Sequence, residues 1–145
     1  MNKNLLFLVP LLMVLGTGCL KTKNNMAQQT PPSGTFTGQF RYLHRHASNV
    51  PFDTVKANLT IKFGTPANTY AVTGDTSTVH AGSKGTFSVG SPYMVFADST
   101  FSTTATTTKT HLAGAYIYYY DGTVFQLLAY SADTLSLQYD LRRAQ

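Results

Sequence analysis

The chain has 145 residues, a net charge of +5, nine tyrosines, nine phenylalanines, no tryptophan and a single cysteine. One cysteine excludes an intramolecular disulfide, so any folded domain stands on its core alone. No glutamate occurs and no apolar stripe repeats every 3.6 residues, which argues against helices. The basic residues are scattered, apart from Arg142-Arg143, and form no stripe with stacking aromatics, so no nucleic acid partner is expected.

Residues Met1–Gly18 begin with Lys3, continue through the apolar run Leu5–Leu15 and end in the small residues Gly16, Thr17 and Gly18. The apolar run is far shorter than the roughly 20 residues that cross a bilayer as a helix, so it predicts a signal peptide outside the fold. The segment Leu15-Gly16-Thr17-Gly18-Cys19 resembles a bacterial lipobox. That resemblance implies cleavage before Cys19 and modification of Cys19 with lipid that carries acyl chains such as palmitate. Several chains, at ~0.8 kcal/mol per buried CH₂, make such an anchor effectively permanent. The expected location is the cell envelope, at the outer membrane of a Gram-negative bacterium, facing the periplasm or the surface. Residues 19–33 are rich in Asn, Gln, Thr and Pro, with no apolar periodicity, and predict a flexible tether.

From Gly34 to Gln145 the pattern alternates every two residues. Phe36, Phe40, Tyr42 and His44 share one face of the first run, and Val55, Ala57, Leu59, Ile61 and Phe63 share one face of the second. Shorter runs cover Asn68–Thr73, Gly85–Val89 and Tyr93–Ala97, divided by Gly74-Asp75 and Gly90-Ser91-Pro92. Leu112–Tyr130 carries two aromatic-rich runs around Asp121-Gly122, a pair that predicts a hairpin with a type I′ turn. Leu135, Leu137, Tyr139 and Leu141 close the series. About eight strands with short connections predict one all-β domain, an antiparallel up-and-down barrel over 34–145. Eight is also the strand number whose interior is just filled by side chains or holds one small ligand.

Gly34-x-Phe36-x-Gly38-x-Phe40, Gly85-Thr86-Phe87-x-Val89, Leu112-x-Gly114-x-Tyr116-x-Tyr118 and Tyr139-x-Leu141-Arg142 together resemble small lipocalin-like lipoproteins of Gram-negative bacteria. The resemblance spans the whole domain and implies a calycin-type barrel and non-enzymatic binding of a small apolar or amphipathic ligand. It carries no catalytic motif. Strand parity makes Phe40, Tyr42, Tyr116 and Tyr118 the ligand-facing candidates. A second expectation, of a different class, is an interaction module of the envelope: a filled barrel that meets a protein partner through residues such as Phe101 and Tyr119.

Enzyme chemistry is not expected. None of the serines lies in a Gly-x-Ser-x-Gly elbow, and most of the six aspartates fall at turns or strand ends. No cofactor motif is present, and none is expected. His44 and His46 are the weak candidates for a metal, because residues two apart on a strand point to one side, with His80 or His111 available to complete a site. Without carboxylates or a thiol beside them the expectation is no metal. The Thr-rich segment Ser99–Thr110 reads as a rim loop with Phe101 as its one large apolar residue.

Overall fold

A computed structural model describes residues 30–47, 49–101, 108–131 and 134–145. The expected signal peptide, Cys19, most of the expected tether and the centre of the Thr-rich segment lie outside them. Eight strands follow in order: β1 (Gly34–His44), β2 (Asp53–Gly64), β3 (Thr69–Gly74), β4 (Lys84–Val89), β5 (Tyr93–Asp98), β6 (Gly114–Tyr120), β7 (Val124–Ser131) and β8 (Leu135–Arg143). Each pairs antiparallel with the next, and β1 pairs with β8, so the sheet is a closed up-and-down barrel. Closure leaves no strand edge to aggregate. This is the architecture the alternation predicts.

The barrel has two unlike ends. The chain enters at the lower end, where the connections between β2 and β3, β4 and β5, and β6 and β7 are three or four residues long. The other connections lie at the upper end and are mostly longer. Strands β1, β2, β7 and β8 are also longer than β3 to β6, and β2 rises above β3. The uppermost β3 residue, Gly74, pairs with Leu59, whereas β2 continues upward to Asp53, opposite His44.

The lumen is filled by alternate residues of every strand. Phe36, Phe40, Ile61, Met94, Phe125 and Leu141 have no exposed surface. The lower half is an aromatic stack in which Phe63 meets Phe36, Phe87 and Phe125 edge-on at 5.8, 5.2 and 5.0 Å between centroids. Such offsets suit the ring quadrupoles and add to the area term. Gly38 and Gly85 lie where neighbouring strands pass closest. A Cβ at Gly38 would collide with the Asp140 carbonyl, and one at Gly85 with that of Ala97.

The β6–β7 turn differs from the predicted type I′. Only Gly122 has positive φ, at 96°, and Asp121 N–H donates to Val124 O at 3.3 Å, which makes Gly122 and Thr123 the central pair. A positive first φ followed by a negative one fits type II′. The turn is displaced by one residue because the Asp121 carboxylate is better used elsewhere. Its Oδ1 accepts from Thr123 N–H at 2.8 Å and from Val124 N–H at 2.7 Å, a side-chain substitute for the missing turn bond.

Arg143 fastens the lower end. Its guanidinium donates to Gly122 O at 2.7 Å, Ser33 O at 2.9 Å and the Tyr120 hydroxyl at 2.7 Å, and lies 4.9 Å from the Phe36 ring centroid. One side chain thus ties the entering chain, a turn and two strands. Arg143→Ala is expected to lower stability by about 1–3 kcal/mol, and limited proteolysis should then cut near Ser33 earlier than in the parent.

Candidate functional site

Three regions contain chemistry: the lumen, its upper mouth and the outer face. In the upper lumen the connection 75–83 folds inward instead of running over the surface. Its backbone is spent on neighbours, with Val72 N–H donating to Ser83 O at 2.7 Å, Ala81 N–H to Thr110 O at 2.8 Å and Thr110 N–H to Val79 O at 2.9 Å. A loop can be buried only when its polar groups are paired in this way. The result places His80, with no exposed surface, against the Phe40 and Tyr139 rings.

His80 belongs to a directed hydrogen-bond chain. A carbonyl can only accept, so the 2.5 Å contact to Ala81 O places the ring proton on Nδ1. Nε2 then accepts from the Tyr139 hydroxyl at 2.8 Å, and Tyr139 is hydrogen-bonded in turn to Tyr116, which also bonds the Ala113 backbone. Tyr70 donates separately to Leu112 O at 2.5 Å. Burial pushes the Tyr70, Tyr116 and Tyr139 hydroxyls above their ordinary range, so all three remain protonated donors. Burial also pulls His80 down to about 4, so the ring is neutral near pH ~7. Tyr116 and Tyr139 thus satisfy one another and His80 of the inserted connection 75–83.

Of the four ligand-facing candidates, Phe40, Tyr116 and Tyr118 are buried in this packing and Tyr42 is half-buried at the mouth. The mouth itself is a ledge of the four long strands, where Val55, Tyr42, Leu137 and Ala129 lie side by side in register. His44 and His46 stand above it with ring centroids 4.8 Å apart, and His46 Nε2 lies 3.6 Å from Asp53 in an exposed pair. His80 and His111 are engaged elsewhere. Among the described residues no group of three or more His, Cys, Asp and Glu is arranged to hold a metal ion.

His111 Nδ1 contacts Asp98 Oδ2 at 2.8 Å, and both side chains are largely buried. Burial alone would raise the Asp98 carboxyl, but hydrogen bonds from the Thr100 hydroxyl and backbone, together with His111, hold it below its ordinary range. Phe101 packs on the His111 ring at 5.0 Å. This pair clamps the top of β5 to the segment that leads into β6. It and His80 carry no sequence signal, since each depends on a contact between residues far apart in the chain or on a loop that turns inward.

The outer face of β6–β7–β8–β1 holds a groove of about 280 Å³, lined among others by Tyr119, Leu128, Gln126, Gln138, Asp140 and Arg41. Tyr119 is 53% exposed there, while its neighbours Tyr118 and Tyr120 turn inward. Arg41 reaches Asp140 at 3.4 Å, and its Nε is buried without a hydrogen-bond partner among the described residues. Protein-family models, curated proteins and solved structures were compared with the chain, and none of them matches it.

Proposed function

We propose that this chain is a lipid-anchored, non-enzymatic binding module of a bacterial cell envelope, and that it works through its outer surface with a filled barrel as scaffold. The observation that carries this reading is the packed lumen. Phe40, Tyr116 and Tyr139 occupy its upper half in contact with one another or with His80, which the connection 75–83 inserts from above. A ligand there would have to displace buried rings and break a satisfied hydrogen-bond chain, both costly.

The anchoring part rests on Cys19 and the apolar segment before it. Fourteen residues lie between Cys19 and Gly34, so a lipid on Cys19 would keep the lower end of the barrel within at most ~50 Å of the membrane. A second reading is favoured by the ledge above His80: an apolar or amphipathic ligand could rest on Tyr42, Val55 and Leu137 without entering the barrel. Val55 is 47% exposed there.

Native mass spectrometry of the full chain, released from mild detergent, tests the central claim. The expected result is a barrel with acyl chains on Cys19 and no further small molecule. A stoichiometric lipid that survives Cys19→Ser would overturn it and return the lumen or the ledge to first place.

A further inference from the structure

The strand registers bring two outward-facing rows together on β6–β7–β8–β1. One row reads Ile117, Leu128, Gln138, Arg41, and the next reads Tyr119, Gln126, Asp140. With strands ~4.8 Å apart and same-face residues ~6.8 Å apart along each strand, these side chains share a patch of roughly 15 by 7 Å. The patch is divided. Ile117, Leu128 and Tyr119 form an apolar, partly aromatic half, and Gln126, Gln138, Asp140 and Arg41 form a polar half.

The polar half is under-used. Arg41 has five N–H donors, yet its hydrogen bonding among the described residues is the single 3.4 Å contact to Asp140, and its Nε is buried and unpaired. Gln126 Nε2 donates to Asp140 Oδ1 at 3.2 Å and Gln138 Nε2 to Ser136 Oγ at 3.3 Å, which leaves both amide oxygens as open acceptors. A buried donor without a partner is unfavourable, and such groups recur where a ligand supplies the missing bond.

The occupant can be narrowed by chemistry. An added peptide strand is excluded, because every one of these strands is already paired on both sides. Within the lining Arg41 and Asp140 are the only charged residues and they cancel, so the groove itself does not select a polyanion, although Lys56 lies beside Arg41 in register outside it. A purely apolar ligand would bury the amides and carboxylate without partners. A neutral saccharide meets each requirement: its hydroxyls both donate and accept, and its C–H face can lie on an exposed tyrosine ring. The groove volume lies near the lower end of the ~300–1,000 Å³ common for small-ligand sites, which suits a short oligosaccharide. We infer that the outer groove between Tyr119 and Arg41 binds a neutral saccharide, stacked on Tyr119 and read by Gln126, Gln138, Asp140 and Arg41. This rests on the proposal that the outer face is the working surface.

The test is NMR shift mapping on the full chain in detergent micelles, with trimers of glucose, N-acetylglucosamine and xylose as probes. At least one trimer should move the resonances of Tyr119, Gln126, Gln138 and Asp140. Tyr119→Ala and Asp140→Asn should each weaken that binding about tenfold or more, while the melting temperature stays within a few degrees because both side chains are exposed or half-exposed. The inference is overturned if no trimer shifts this face, or if the shifts survive both substitutions. A protein partner that cross-links at Tyr119 in place of any sugar would refute the saccharide and leave the outer-face reading standing. Shifts confined to Phe40 and Tyr116 would refute both.

Discussion

Acidifying the protein from about pH 7 to about pH 4 is expected to lower its unfolding free energy by about 3 kcal/mol, and His80 is the main cause. The folded ring titrates at about 4 because burial disfavours its charged form, and the nearby His111 acts in the same direction. The Ala81 carbonyl and the Asp98 carboxylate oppose this with smaller effects. The remaining groups against it, Phe40 and the protonated Tyr139, offer no negative charge. In the unfolded chain the same ring titrates near ~6.5. Above that pH both states are neutral and the native state keeps its full stability. As the pH falls, the unfolded chain takes up a proton that the barrel refuses, so stability declines at up to ~1.4 kcal/mol per pH unit until the folded ring also protonates near 4.

Against a total of ~5–15 kcal/mol for a small domain, that loss is large. Asp98, held below its ordinary range, works in the same direction but only below the unfolded carboxylate range. The double variant His80→Leu/Tyr139→Phe separates the two. It removes the titrating ring, and because it also leaves the Ala81 carbonyl and the Tyr116 hydroxyl each short of one partner, it is expected to lower stability by about 1–3 kcal/mol at every pH without adding a slope. Urea unfolding at a series of pH values should show a flat profile for the double variant down to about pH 5 and a declining one for the parent. Parallel profiles would mean that His80 is not the group that resists protonation.

The barrel was legible in the sequence because its cause is local. Phe36 to His44, Val55 to Phe63 and Leu135 to Leu141 alternate without a break, and alternation alone assigns their inward residues. Turn chemistry was legible only in part. Asp121-Gly122 marked the hairpin, but the Asp121 carboxylate competes for the backbone donors of Thr123 and Val124 and displaces the turn by one residue. What stayed hidden depends on tertiary pairing. The polar segment between Gly74 and Lys84 carries no sign that it folds inward, because the groups that satisfy it, such as Thr110, lie about thirty residues further on. Strand parity alone puts Arg41, Gln138 and Asp140 outside, but only the β1–β8 closure register sets Arg41 beside Gln138, and only the β7–β8 register sets Asp140 beside Gln126.

Phe36→Ala is expected to cost about 3–5 kcal/mol, and to turn the filled lumen into one that accepts a ligand. Phe36 has no exposed surface, packs against Phe63, Tyr120 and Phe125 at 5.6–5.8 Å, and lies under the Arg143 guanidinium. Truncation removes a ring that the neighbouring aromatics cannot replace, since each is already fixed by its own edge-on contacts. The hole should therefore persist instead of collapsing. Its side walls are the rings of Phe63, Tyr120 and Phe125 and its outer wall is the Arg143 guanidinium, which pairs with an aromatic face, so it should take up benzene, as apolar cavities of ~150 Å³ do. Calorimetry is expected to show a fall in melting temperature of roughly 15 °C, partly restored by saturating benzene through ordinary linkage. The parent should show no such rescue. If benzene stabilises the parent as strongly as the variant, the lumen already holds an accessible cavity, and the filled-scaffold reading fails with it. If neither responds while the variant still loses its stability, the neighbours have closed over the hole. The lumen would then be more plastic than its interlocked rings suggest.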